Sequence, residues 1–217
     1  VTTARDAAAA DENGTGVGAG PFETFGPGDV CDLIAQFPLA WVCARHGAAR
    51  EASLLPLLGE YEAGGRLAGL LGHLGRRNPL VAALSADPRA VILFRGPEAY
   101  ISPEHAGRRD WAPTWNYAQL RIEATVQFLP EETGMAVRRL VDTMEAERAA
   151  PWRPEELGDR YAAMERQIVG FRAEVTRLSG RFKLGQDEAP QTLRAIIDNI
   201  ADPAMARWMR RFNAERL

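Results

Sequence analysis

Tyr117-Ala-Gln-Leu-Arg-Ile-Glu-Ala-Thr-Val-Gln-Phe128 decides the fold class. Leu120, Ile122, Ala124, Val126 and Phe128 alternate with Arg121, Glu123, Thr125 and Gln127, the period of a half-buried antiparallel strand. Upstream, Leu39–Arg45 and Ala52–Leu58 read as strands joined by a turn around His46-Gly47. Leu67–Gly72 is a third strand, followed by a short helix near Pro79–Ser85. Ala90–Phe94 reads as a buried strand with Ala99–Ser102 pairing beside it after a turn at Gly96-Pro97. Phe171, Ala173 and Val175 alternate with Arg172, Glu174 and Thr176 in a last strand.

Helical spacing is equally plain. Val30, Leu33, Ile34 and Phe37 form one stripe that stops at Pro38. Pro130 opens another helix, with Glu131 and Glu132 in its first turn and a predicted core stripe of Val137, Leu140, Val141 and Met144. A further helix is expected around Glu155–Gln167, after the Pro151-Trp-Arg-Pro154 break. Leu193, Ile196, Ile197 and Ile200, then Met205, Trp208, Met209 and Phe212, mark two more. Short strands, one long one and helices between and after them make an α+β domain built on an antiparallel barrel. Residues 1–20 lack any periodic apolar pattern and read as a disordered tail. Residues 21–217 then form a single domain, with a helical extension from about residue 189. Within the tail, Gly14-Thr-Gly-Val-Gly-Ala19 matches a dinucleotide fingerprint in letters only, since no strand precedes it and no helix follows.

At 217 residues, with 46% hydrophobic content, the chain can bury a core of ordinary size. A net charge of −3 gives no basic footprint for nucleic acid. No helix-turn-helix, zinc-finger or basic region is present, so direct DNA binding is not expected. Arg207, Arg210 and Arg211 read as a solvated face beside Glu215. Cys31 and Cys43 are too few for a disulfide framework and fit a reducing cytoplasm. No membrane span and no signal-peptide pattern is seen. There is no G-x-S-x-G, H-E-x-x-H or phosphate-binding G-x-x-x-x-G-K-[ST], and His46, His73 and His105 are too scattered for a non-haem metal site.

Four short motifs in order carry a family resemblance covering roughly residues 22–200. They are Leu71-Gly-His-Leu-Gly-Arg-Arg-Asn-Pro79, Phe94-Arg-Gly-Pro-Glu-Ala-Tyr-Ile-Ser-Pro103, Pro113-Thr-Trp-Asn-Tyr117 and Gly180-Arg-Phe-Lys-Leu-Gly-Gln186. Together they resemble the PaiB-type proteins, small split β-barrels described as FMN-binding transcriptional regulators. The resemblance implies a pyridoxamine-phosphate-oxidase-like split barrel with peripheral and C-terminal helices. It implies FMN as cofactor, and a homodimer with the cofactor site at its interface, open to a small-molecule ligand. A side branch, the piperazate synthases, holds haem b and forms a nitrogen–nitrogen bond. On that pattern His73 would be the axial ligand and the only metal-binding residue.

The same resemblance proposes the site. Gly72, His73, Arg76 and Asn78 would hold the FMN phosphate where a strand end meets a helix start, since helix amides beside an arginine attract an anion. His73 could instead be a metal ligand, or a buried histidine bonded to a backbone carbonyl. Tyr100 and Ser102 alternate onto one face and could aim their hydroxyls at cofactor or substrate, or simply meet water. Trp115 could stack on a planar ring while Thr114 and Asn116 bond to its edge. On the same resemblance, Lys183 and Gln186 would reach the cofactor as contributions across a two-fold interface. No catalytic residue stands out. Two departures matter: Leu54 in Ser53-Leu-Leu-Pro56 replaces a histidine common in relatives, and Gly185 replaces a serine. Three readings follow: a flavin oxidoreductase or flavin-dependent regulator first, a haem enzyme second, and a non-enzymatic binding module third.

Overall fold

Val30, Leu33 and Ile34 pack one face of helix α1 (Pro27–Gln36) inward, and Pro38 ends it as the spacing predicts. The computed structural model describes residues 20–45 and 51–217. The expected tail, the fingerprint-like letters within it and the turn at His46-Gly47 lie outside those residues. Strands β1 (Leu39–Ala44), β2 (Ala52–Tyr61) and β3 (Leu67–Gly75) precede helix α2 (Pro79–Ala86). Strands β4 (Arg89–Ile101) and β5 (Thr114–Leu129) follow, then helices α3 (Thr133–Glu145) and α4 (Asp159–Glu165). Strand β6 (Ile168–Lys183) and helices α5 (Pro190–Asn199) and α6 (Pro203–Phe212) complete the chain.

The six strands close into an antiparallel barrel in the order β1-β2-β3-β6-β5-β4, the split-barrel class that the sequence implied. Register is fixed by the alternation of each strand. Trp41 faces Leu54 on one side and Leu93 on the other, while His73 faces Gly170. Gly72 is required by packing, because a Cβ there would come within 2.6 Å of Leu57 and 2.9 Å of Phe171. No helix among the described residues is long and apolar enough to cross a membrane.

By compactness the chain divides into two units, each described by itself. One comprises residues 27–94 and 121–178; the other comprises 20–26, 95–120 and 179–217. In the first, Leu57, Leu70, Ile92, Phe94, Ile122 and Phe171 are among the fully buried side chains. In the second, Phe182 stacks on Phe212 at 4.9 Å between centroids, and Phe25 and Trp208 join the same cluster.

Four local expectations need correction. β3 does not end at Gly72 but runs to Gly75, so His73 sits within a strand. Ladder pairing with β6 through Gly75↔Ile168 outweighs the turn chemistry of the Gly-Arg-Arg-Asn stretch. Gly96-Pro97 is no turn: β4 continues through it, and two consecutive buried residues there break the alternation, as in an irregular strand. β5 begins at Thr114 and β6 extends to Lys183, so two motifs expected as flanking segments are strand. In α3 the buried residues are Thr133 and Ala136, while Met144 is exposed. The first turn of α3 docks closely, with the Gly170 amide donating to Thr133 Oγ1 at 3.0 Å, and small residues fit that approach.

Candidate functional site

In the first unit, β3 carries Gly72 and His73 on opposite faces, as strand alternation dictates. Gly72 points into the packed interior, whereas His73 lines a cavity of about 260 Å³ with Val137, Trp152, Leu157, Tyr161 and Ile168. His73 Nδ1 is buried without a hydrogen-bond partner, and so is the Tyr161 hydroxyl in the same cavity. The reading of a histidine satisfied by a backbone carbonyl at that nitrogen therefore fails. Burial pushes the His73 pKa down, favouring the neutral ring.

Arg76 and Asn78 serve the fold. Asn78 caps α2: its Oδ1 accepts from the Leu80 amide at 2.9 Å, and its carbonyl accepts from the Val81 amide at 2.9 Å. With proline at the first helical position, the leading amides of α2 are accounted for from within. Asn78 also bonds to Ser53, and Arg76 Nε donates to the Arg166 carbonyl at 3.2 Å. An anion at this terminus would have to compete with the cap.

In the second unit, β5 turns Trp115 outward, 55% exposed, and Asn116 inward, 3% exposed. Alternation thus separates these two candidates. Asn116 Nδ2 lies 3.6 Å from Met209 Sδ in the core. Tyr100 on β4 is 48% exposed and meets Trp115 edge-to-face, with ring centroids 5.8 Å apart. Lys183, at the end of β6, reaches the same place: its Nζ donates to Thr114 Oγ1 at 2.5 Å and to the Trp115 carbonyl at 3.2 Å. No carboxylate pairs with Lys183 among the described residues. A cavity of about 320 Å³ adjoins Trp115, lined also by Arg95, Glu98 and Tyr117. Arg95 and Glu98 form an ion pair.

Two candidates are occupied locally. The Ser102 hydroxyl accepts from the Glu104 amide at 3.2 Å, closing a turn. The Gln186 side chain accepts from the Leu184 amide at 2.7 Å and donates to the Phe182 carbonyl at 2.6 Å. The structure therefore brings Tyr100, Thr114, Trp115 and Lys183 together, and directs Ser102, Asn116 and Gln186 elsewhere. It adds Tyr161, Glu165 and Trp152 beside His73, which lie outside the four motifs, and Arg95 and Glu98 beside Trp115, which lie within the second motif but are not among its candidate site residues. Leu54 is exposed on the outer face of β2, so the substitution for histidine leaves an apolar surface rather than a polar one.

The description "Putative FMN-binding domain" matches residues 21–177. The protease synthase and sporulation protein PAI 2 of Bacillus subtilis is 26% identical over 133 residues, 60% of this chain and 64% of that protein. An uncharacterised protein of Aspergillus fumigatus is 24% identical over 170 residues, 60% of this chain and 65% of that protein. The chain thus covers less than two thirds of the length of these relatives. The FAD and haem binding protein of Mycobacterium smegmatis shares the fold, with a TM-score of 0.55 at 16% identity over 77% of both chains. A conserved hypothetical protein of Mycobacterium tuberculosis does so at 0.51 and 12% identity, over 74% of this chain and 87% of that one. With its family model spanning most of the chain, and a PAI 2 relative matching in sequence, this protein belongs to the PaiB-type family of FMN-binding-domain split barrels.

Proposed function

We propose that this chain binds FMN on the Trp115–Tyr100–Lys183 face and works as a flavin oxidoreductase or flavin-dependent regulator. One observation carries the reading: two exposed aromatic rings stand in contact beside a lysine that lacks an acidic partner among the described residues. A flat, anionic ligand answers both features, since a ring stacks on the aromatics and a phosphate takes the charge. FMN meets that description, and when bound it supplies electron and hydride transfer. The chain's part is to hold and orient it. Thr114 positions the Lys183 ammonium, and Trp115 and Tyr100 provide the stacking surface. The experiment is an absorbance spectrum of the purified protein before and after FMN, then gel filtration. A two-band flavin spectrum that stays with the protein supports the reading; flavin eluting entirely free contradicts it.

His73 favours haem as a second reading. An unpartnered neutral ring nitrogen in a mostly apolar cavity is the donor that an axial ligand requires. The donor fits, but the room does not as the cavity stands. About 260 Å³ is below the roughly 300–1,000 Å³ of drug-sized ligand sites. A tetrapyrrole would need the lip formed by Trp152 and Met164 to open. A Soret band on adding haemin, lost in His73→Ala, is the mark of this reading.

A homodimer is part of the first reading. Leu39, Trp41, Leu54 and Leu93 form an exposed apolar stripe across β1, β2 and β4, held in register by the Trp41 pairings. Such a patch suits burial against a second copy. The two cysteines are free and half-buried, which suits a reducing cytoplasm.

A further inference from the structure

The cavity beside His73 holds three unpartnered polar groups. His73 Nδ1 and the Tyr161 hydroxyl are buried there without hydrogen bonds. Glu165 lines the same cavity and makes no hydrogen bond or ion pair among the described residues. Glu165 and Tyr161 meet around Gly134 on α3, and His73 lines the same cavity. The point where its missing Cβ would sit is 2.5 Å from a Glu165 carboxylate oxygen and 3.6 Å from Tyr161 Oη. Buried polar groups without partners cost stability, and native folds keep them chiefly where a ligand or water completes them.

The rest of the wall is apolar. Val137, Leu157 and Ile168 line the interior, while Trp152 and Met164 stand exposed at the mouth. We propose that this cavity binds a small primary amine with a compact apolar body, its ammonium held by Glu165, Tyr161 and His73.

The chemistry selects that head group. An ammonium has three N–H donors and no acceptor, and the cavity offers three acceptors: a carboxylate, a phenolic oxygen and an imidazole nitrogen. A carboxylate ligand would meet Glu165 with like charge. A purely apolar one would leave the buried His73 nitrogen and Tyr161 hydroxyl unsatisfied. The volume of about 260 Å³ limits the body to about one six-membered ring, since drug-sized ligands occupy roughly 300–1,000 Å³. The proposal rests on neither cofactor reading: flavin is assigned to the other unit, and no haem is needed for the amine to bind.

The test is calorimetric titration of the full chain, as purified, with benzylamine and with benzyl alcohol, the same ring with an uncharged head. Benzylamine is expected to bind at least tenfold more tightly. Glu165→Gln should weaken benzylamine tenfold or more while leaving FMN affinity unchanged. Gly134→Ala should also weaken it, because the added methyl displaces the Glu165 carboxylate without removing its charge. Nuclear magnetic resonance places the ligand: the His73 ring signals should shift on adding benzylamine. Equal binding of the two probes, no binding of either, or wild-type affinity in both Glu165→Gln and Gly134→Ala would each overturn the proposal. Failed FMN uptake with intact benzylamine binding would sink the flavin reading alone.

Discussion

Gly185 shows how one residue can be held by the fold rather than by the chemistry of the site. Its φ is +89°, a conformation that disfavours side chains, and a Cβ there would sit 2.9 Å from Leu193 and 3.2 Å from Met209. The serine of relatives would be strained at this position. Gly185→Ser is expected to cost roughly 1–3 kcal/mol, read as a fall in the thermal midpoint of several degrees. An unchanged midpoint would mean that the loop relaxes freely. At this scale the sequence motifs named Trp115, Tyr100 and Lys183, and the structure brings these three residues together. Ser102 and Gln186 were less legible, since a side chain bonding to its own turn looks the same in sequence as one facing a ligand. Tyr161 and Glu165 carried no signal at all: what brings them to the cavity beside His73 is the tertiary placement of α4.

Single elements bind the first unit together through a few charges. Glu60 on β2 accepts from Arg172 Nε on β6 at 2.6 Å and from Arg139 Nη1 on α3 at 2.9 Å. Burial alone would push its pKa up, but the hydrogen bonds and charges of Arg172 and Arg139 outweigh it and hold the carboxyl below its ordinary value. A depressed carboxylate stabilises the fold above its unfolded pKa, and that contribution fades as pH falls through the folded value. Glu60→Gln should therefore lower stability at pH 7, by no more than about 1 kcal/mol because the group is partly exposed. The difference from wild type should vanish in the acid range, as thermal melts between pH 7 and pH 3 would show; a gap constant with pH would contradict the assignment. His73 carries the opposite charge logic. Its lowered pKa means that the folded state prefers the neutral ring, so its contribution is present above the unfolded value and fades as pH falls below it. Its nuclear magnetic resonance titration midpoint should lie below that of a free histidine.

Element types were legible where periodicity ran long, as in β5 and the two terminal helices. Boundaries were not. Gly96-Pro97 carries strong turn letters, yet β4 passes through it, because an irregular strand tolerates both residues. The end of β3 was misplaced for the converse reason. Gly75 and Arg76 have weak strand preference, but pairing with the start of β6 holds them in place, through Gly75↔Ile168 and the Arg76 amide to the Gln167 carbonyl.

For the whole molecule, the barrel followed from counting alternating segments, whereas its outer surface needed the register. Trp41, Leu54 and Leu93 are far apart in sequence and become one stripe only when β1 pairs with both β2 and β4. Light scattering should give twice the chain mass for the wild type, and Trp41→Glu should shift it to the monomer with little change in fold; a wild-type monomer would remove the dimer from the account. The flavin platform is tested by an FMN titration followed by flavin fluorescence in wild type and Trp115→Ala. Loss of a base-stacking partner is worth roughly 1–3 kcal/mol, so affinity should fall about fivefold or more in the variant. Equal FMN affinity in the two proteins would contradict the account, because the flavin would then be resting somewhere other than on Trp115.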